Sequence, residues 1–183
     1  MKPGRVHELA IIAGMRVFLA LILSGCVTPL PTSDPLETPS TWYRIYFSDP
    51  LDPAAGTYRG GPDEALAAAI REARLSVDVA IYDLNLWSLR DTLIEAHRRG
   101  LNVRVVTESD NLDEPEIQEL EEAGIPVLGD RREGLMHHKF AVIDHLEVWT
   151  GSMNYTTTDV YLNDNNLVRM RSSRLAEDYT VEF

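Results

Sequence analysis

His137-His138-Lys139-Phe140-Ala141-Val142-Ile143-Asp144, followed after six residues by Gly151-Ser152-Met153-Asn154, dictates how the rest of the chain is read. Lys139 to Ile143 and Glu147 to Thr150 flank the turn Asp144-His145-Leu146, so the segment is a strand hairpin. If the motif begins a strand, period two places His137 and Lys139 on one face and His138 on the other. A nucleophilic imidazole and a cation then meet one phosphate, and His138 is a bystander. Lys139 stands out against its background, because the chain has 17 basic residues of which only Lys2 and Lys139 are lysines. A composition so biased toward Arg supplies Arg wherever any cation suffices, so a compact ammonium here points to point-charge phosphate binding. Gly151 allows close backbone approach, and the Ser152 hydroxyl and Asn154 amide can donate to phosphoryl oxygens. Alone, Gly151 to Asn154 would read as a turn and helix cap. Joined to the upstream His and Lys, it reads as part of a phosphate site.

Working outward, the chain upstream alternates two periods. Trp42 to Phe47 is aromatic and β-branched and stops at Asp49-Pro50, so it is a strand. Asp63 to Arg74 has a capping Asp, Ala-rich propensity and helical apolar spacing at Leu66, Ile70 and Ala73. Ser76 to Tyr82 follows as a strand, Leu86 to Arg99 as a helix closed by Gly100, and Asn102 to Thr107 as a strand. Asp113 to Ala123 makes an acidic helix and Ile125 to Leu128 a short strand. After the hairpin, Asn166 to Arg171 forms a strand before a closing helix, Arg174 to Phe183. This β-α-β-α-β-α-β order predicts an α/β fold with a mixed, mostly parallel sheet and helices on both faces. No internal repeat is present.

At the other end of the chain, Met15 to Cys26 places one basic residue before a short apolar run ending in small residues, which reads as a secretory signal. Leu23-Ser24-Gly25-Cys26 resembles the bacterial lipobox, in which the Cys is acylated and everything before it is removed. Residues 1–14 fit the start of such a signal poorly, and translation is expected to begin at Met15. Residues 27–40 carry four prolines and no aromatic residue and read as an extended tether. The expected division is therefore a signal over 1–26, a tether over 27–40 and one folded domain over 41–183, its motif region lying within 131–166. The implied location is a lipid-anchored protein outside the cytoplasm, held to the membrane through Cys26.

Composition narrows the function classes. The chain carries 17 Lys and Arg against 29 Asp and Glu, a formal charge of −12. Removing residues 1–26 takes away Lys2, Arg5, Arg16 and Glu8, leaving 14 basic and 28 acidic side chains and a net of −14. Bulk electrostatic coating of nucleic acid is disfavoured, although a local basic site is not. The single cysteine excludes intrachain disulfides and Cys-based zinc sites. The acidic residues from Glu108 to Glu122 lack an EF-hand spacing and read as a solvated helix face. Arg131-Arg132, upstream of His137, reads either as a second anion subsite or as a salt-bridged loop.

The pattern H-x-K-x4-D-x6-G-S-x-N resembles the signature of the phospholipase D superfamily, most closely its small one-motif members, which include bacterial endonucleases and mitochondrial cardiolipin hydrolases. The resemblance implies the sandwich fold of that superfamily and phosphodiester hydrolysis through a phosphohistidine. His137 would be the nucleophile, Lys139, Ser152 and Asn154 would hold the phosphate, and no metal or other cofactor would take part. Asp144, of opposite strand parity to Lys139, reads as a structural prop of the hairpin. Relatives often place a carboxylate that orients the nucleophile about eleven residues after the motif Asn. Here Asn163-Asp164-Asn165-Asn166 puts Asn165 at that position, whose carbonyl can still accept from the imidazole, with Asp164 as a possible compensating charge. One motif supplies one catalytic His and the reaction needs two, so the resemblance implies a homodimer with a shared site. A phospholipid diester is placed slightly ahead of DNA or RNA as substrate. A catalytically silent phosphate-binding module is the third reading.

Overall fold

The computed structural model describes residues 42–183, and the signal, Cys26 and tether lie outside the described residues. Seven strands, β1 (Tyr43–Phe47), β2 (Ser76–Ile81), β3 (Asn102–Thr107), β4 (Val127–Gly129), β5 (Lys139–Ile143), β6 (Glu147–Gly151) and β7 (Asn166–Arg171), form one sheet. Five helices accompany them: α1 (Pro62–Glu72), α2 (Trp87–Arg98), α3 (Pro115–Glu122), α4 (Thr157–Tyr161) and α5 (Ser173–Glu182).

The sheet order is β1-β7-β6-β5-β2-β3-β4, and only the β2–β3 and β3–β4 pairings are parallel. The other four pairings are antiparallel, which corrects the expectation of a mostly parallel sheet. Following the pairings across the sheet, β1, β2, β3, β4 and β6 run one way and β5 and β7 the other. The strand-helix alternation does give co-directional strands. The meander β5-β6-β7 then inserts between β1 and β2, so co-directional strands are not all neighbours.

Helices cover both faces, as expected. Period-two alternation sends Val77, Val79 and Ile81 of β2, with Val103, Val105, Ala141, Trp149 and Leu167, into a core beneath α1 to α4. The alternate residues Ala80, Phe140, Val142 and Val148 face α5, which contributes Ala176, Leu175 and Tyr179. Each Leu fully buried in such a core stabilises by about 1.5–3 kcal/mol.

Two local features tie the elements together. Helix α1 begins at Pro62 behind the N-cap Gly61, so Asp63 is not the cap. Pro62 at the first helical position puts Asp63 one step inside, where it is 1% exposed and accepts from Ser88 Oγ at 2.7 Å and Tyr161 Oη at 2.9 Å. That buried carboxylate ties α1, α2 and α4 together. In the hairpin, Asp144 and His145 both have φ of 54°, and Leu146 N–H donates to the Ile143 carbonyl at 3.0 Å. The Asp144 carboxylate accepts from the amides of Arg74 (2.9 Å), Leu75 (2.7 Å) and Ser76 (3.0 Å), fastening the turn to the start of β2.

Candidate active site

The strand directions bring the C-terminal ends of β1, β2, β3 and β6 to the same edge as the N-terminal ends of β5 and β7. His137, Lys139, Gly151 to Asn154 and Asn163 to Asn166 therefore converge there from opposite ends of their strands. His145 lies at the other end of the sheet, in the hairpin turn.

His137 is exposed and precedes β5, and Lys139 is the first residue of that strand and half-buried. The Tyr82 ring, at the end of β2, joins the two. It stands edge-on to the imidazole with centroids 4.9 Å apart, and the Lys139 ammonium lies 5.3 Å from its centroid. Lys139 Nζ also donates to the His137 carbonyl at 3.2 Å. Burial pushes the Lys139 ammonium below the usual lysine range, and the carboxylates of Asp159 and Asp83 oppose that shift. His138 is engaged elsewhere, its ring packing against Phe140 and its Nε2 lying 3.1 Å from Glu182, although it lines the same cavities as His137.

Gly151 is required by a close approach. A Cβ built there would lie 2.2 Å from the Asn166 carbonyl oxygen, so only glycine lets β6 and β7 converge beneath the site. Asn154 is half-buried. Its backbone N–H donates to Asp159 Oδ2 at 2.8 Å, and its side-chain Oδ1 is buried without a partner among the described residues.

Ser152 and Asn165 form a different pair from the one expected. Ser152 Oγ donates to Asn165 Oδ1 at 2.8 Å and accepts from the Asn166 amide at 3.1 Å. A hydroxyl has one proton, so in this arrangement Ser152 braces the loop with its proton on Asn165. Asn165 Nδ2 donates to the Asp159 carbonyl at 3.0 Å. Both ends of its amide are occupied, and no hydrogen bond joins Asn165 to His137 among the described residues. Asp164 is exposed.

Several contributors escaped the sequence reading. Glu108, read as part of a solvated acidic face, is 3% exposed and accepts from the Met136 amide at 2.6 Å, anchoring the backbone immediately before His137. Ser109 Oγ accepts from the Arg131 amide at 2.7 Å and donates to Asp130 at 2.9 Å, fixing the same loop. Arg132 and His137 line one groove of about 550 Å3 together with Asp130, Leu135, Phe183 and Glu182. Asp83, which follows Tyr82, is half-buried; burial raises its carboxyl above the usual range, as do Glu114, Asp159 and Glu116. Position on a strand end was the one signal available for Tyr82 and Asp83. Nothing local marked Glu108 as buried. Among the described residues no group of three or more His, Cys, Asp and Glu side chains is placed to hold a metal ion.

Residues 66–183 match the family model described as cardiolipin synthase, phospholipase D-like domain. A mitochondrial cardiolipin hydrolase of Xenopus laevis is 35% identical over 113 residues, 61% of this chain and 54% of that protein. A phospholipase D of Rickettsia conorii is 31% identical over 65% of this chain and 60% of that one. The chain thus spans little more than half the length of these relatives. Among solved structures, the phospholipase D family member Nuc from Salmonella typhimurium superposes with a TM-score of 0.67 at 23% identity, covering 76% of this chain and 90% of Nuc. NucT from Helicobacter pylori gives 0.61 at 19% identity, over 76% and 92% of the two chains. With its motif gathered at one sheet edge, a family match over well more than half its length and a shared fold, this chain belongs to the phospholipase D superfamily.

Proposed function

We propose that the protein is a phosphodiesterase that works through a phosphohistidine, with a phospholipid diester as its preferred substrate. The observation that carries this is the contact of an exposed imidazole and a half-buried ammonium with the same Tyr82 ring, at the sheet edge that also holds Asn154. His137 attacks phosphorus, forming a P–N bond as the P–O bond to the leaving group breaks. A second imidazole donates the proton that the leaving oxygen takes up. That imidazole then accepts a proton from water, whose oxygen attacks phosphorus and releases His137. Lys139 and the Asn154 side chain balance charge on the non-bridging oxygens.

The second imidazole is assigned to another copy of the chain. His138 is held by Glu182 and Phe140, His145 is at the far end of the sheet, and His97 lies on α2. A C2 homodimer with the site on its axis supplies the missing group.

Phospholipid is favoured by the relatives named for cardiolipin and by a net charge of −14 over residues 27–183, where 14 basic face 28 acidic side chains. Acylation at Cys26 would hold the enzyme beside that substrate, outside the cytoplasm; replacing Cys26 with Ser should then move it from the membrane to the soluble fraction. An endonuclease is the second reading, supported by Arg132, which shares a groove with His137 and pairs with no carboxylate among the described residues. Turnover of bis(p-nitrophenyl) phosphate in EDTA by wild type and His137→Ala tests the chemistry. EDTA-sensitive turnover, or a fully active variant, would sink it. Parallel incubations with labelled phosphatidylcholine, cardiolipin and single-stranded DNA decide the substrate, and absence of turnover on all of them leaves a binding module.

A further inference from the structure

We propose that Asp159 is the positioning carboxylate of this site: it sets Asn154, and its charge serves the site where Asn165 carries none. The inference rests on the hydrolase reading above and deepens it.

The geometry makes Asp159 the hub of the phosphate loop. It lies in the first turn of α4, where the N-cap Thr156 Oγ1 accepts its amide at 3.2 Å and so fixes its backbone. One carboxylate oxygen accepts from the Asn154 amide at 2.8 Å and the other from Asn163 Nδ2 at 3.1 Å. Its carbonyl accepts from Asn165 Nδ2 at 3.0 Å. One residue thereby holds three asparagines, linking the Gly151 to Asn154 loop to the run that enters β7. Because the Asn154 amide is spent on Asp159, the side chain of Asn154 is what remains to meet a phosphate.

Charge points the same way. Lys139 is penalised by burial, and Asp159 is the foremost of the two carboxylates that support its ammonium, Asp83 being the second. Asp83 is the weaker candidate. It is itself pushed toward protonation by burial and by Glu114, Asp159 and Glu116, and its carboxylate has no hydrogen-bond partner among the described residues. Asp164, the compensating charge suggested by the sequence, is exposed.

The test uses Asp159→Asn, which keeps an acceptor for the Asn154 amide and removes the charge together with the oxygen that accepts from Asn163 Nδ2. Turnover of bis(p-nitrophenyl) phosphate should show kcat lower by about tenfold with KM changed by less than about threefold, and Asp159→Glu should restore part of the loss. A second readout is independent of activity. With Lys2→Arg in the full chain, Lys139 is the single lysine, and its side-chain 13C resonance reports its titration. Asp159→Asn should move that midpoint down, and by more than Asp83→Asn does. An Asp159→Asn enzyme with kcat within about twofold of wild type, or a Lys139 midpoint that stays put, overturns the proposal. If no diester is turned over by wild type and the Lys139 midpoint still shifts, the hydrolase reading falls while the assignment of Asp159 to Lys139 stands.

Discussion

The Tyr82 ring meets the His137 imidazole edge-on, centroids 4.9 Å apart and planes at 67°. The same ring lies 5.3 Å from the Lys139 ammonium, so one side chain just after β2 touches both motif residues carried by the β5 segment. An aromatic pair contributes about 0.5–1.5 kcal/mol and an exposed cation–π contact about 0.5–1 kcal/mol. Tyr82→Leu should therefore lower kcat/KM by roughly five- to seventyfold, while Tyr82→Phe, which keeps the ring, should stay within about threefold. Equal losses in the two variants would show that the hydroxyl, and not the ring, matters.

Gly151→Ala should be costly in stability as well as activity. The added methyl would sit 2.2 Å from the Asn166 carbonyl oxygen, which belongs to the β7 backbone and cannot rotate away. Parting two paired strands at the site should destabilise by about 1–3 kcal/mol or more. Urea unfolding measures the first effect. A Gly151→Ala protein as stable as wild type would show that β6 and β7 are less tightly joined here.

Asp144→Ala should destabilise through two causes. It removes the acceptor of three backbone amides, from Arg74, Leu75 and Ser76, and it places Ala at a φ of 54°, which Asp and Asn tolerate better. Hydrogen bonds to a charged acceptor contribute about 1.5–3 kcal/mol, and water replaces part of this at the exposed amides. Asp144→Asn keeps the backbone preference and should lie between Ala and wild type in urea midpoint. An Asn variant no better than Ala would assign the whole effect to the charge.

Two pH dependences follow from Lys139 and Asp83, with opposite signs. Burial lowers the Lys139 pKa, so the folded state holds that proton less well than the unfolded chain, and stability gains as pH rises through the folded value toward the ordinary lysine range. In kcat/KM the same shift brings the alkaline limb below the pH at which an exposed lysine titrates. Asp83 is raised by burial first, so its contribution to stability is full below the ordinary carboxylate range and lost as pH rises through the folded value. Asp83→Asn should accordingly be more stable than wild type at neutral pH, with the difference shrinking in acid. A gain that persists unchanged in acid would exclude the charge as its source.

The shared-site dimer predicts dominance. Co-expressed His137→Ala and wild-type chains should form mixed dimers with little or no activity, because each reaction needs one imidazole from each copy. Full activity per wild-type subunit, or turnover by a demonstrated monomer, would show that one chain is sufficient.

The sequence by itself determined the strands and helices with strong period and punctuation. Asn102 to Thr107, Lys139 to Ile143 and Asn166 to Arg171 were legible to the residue, because alternation, turn residues and β-branched runs are local. It also determined the motif, since a separation of two residues already keeps His137 and Lys139 at one end of β5. Only the tertiary structure decided the neighbours. Nothing local says that β5 to β7 slot between β1 and β2, because strand order is set by which apolar faces pack, not by the order of synthesis. The same physics hid Glu108 and Asp159. Each is an acidic residue in a polar segment; Glu108 takes part because the fold brings the Met136 amide to it, and Asp159 because its loop turns the Asn154 amide onto its carboxylate. Asn165 shows the converse: the family resemblance assigned it to His137, and the fold places Ser152 Oγ 2.8 Å from its carbonyl, tying it to the Gly151 to Asn154 loop.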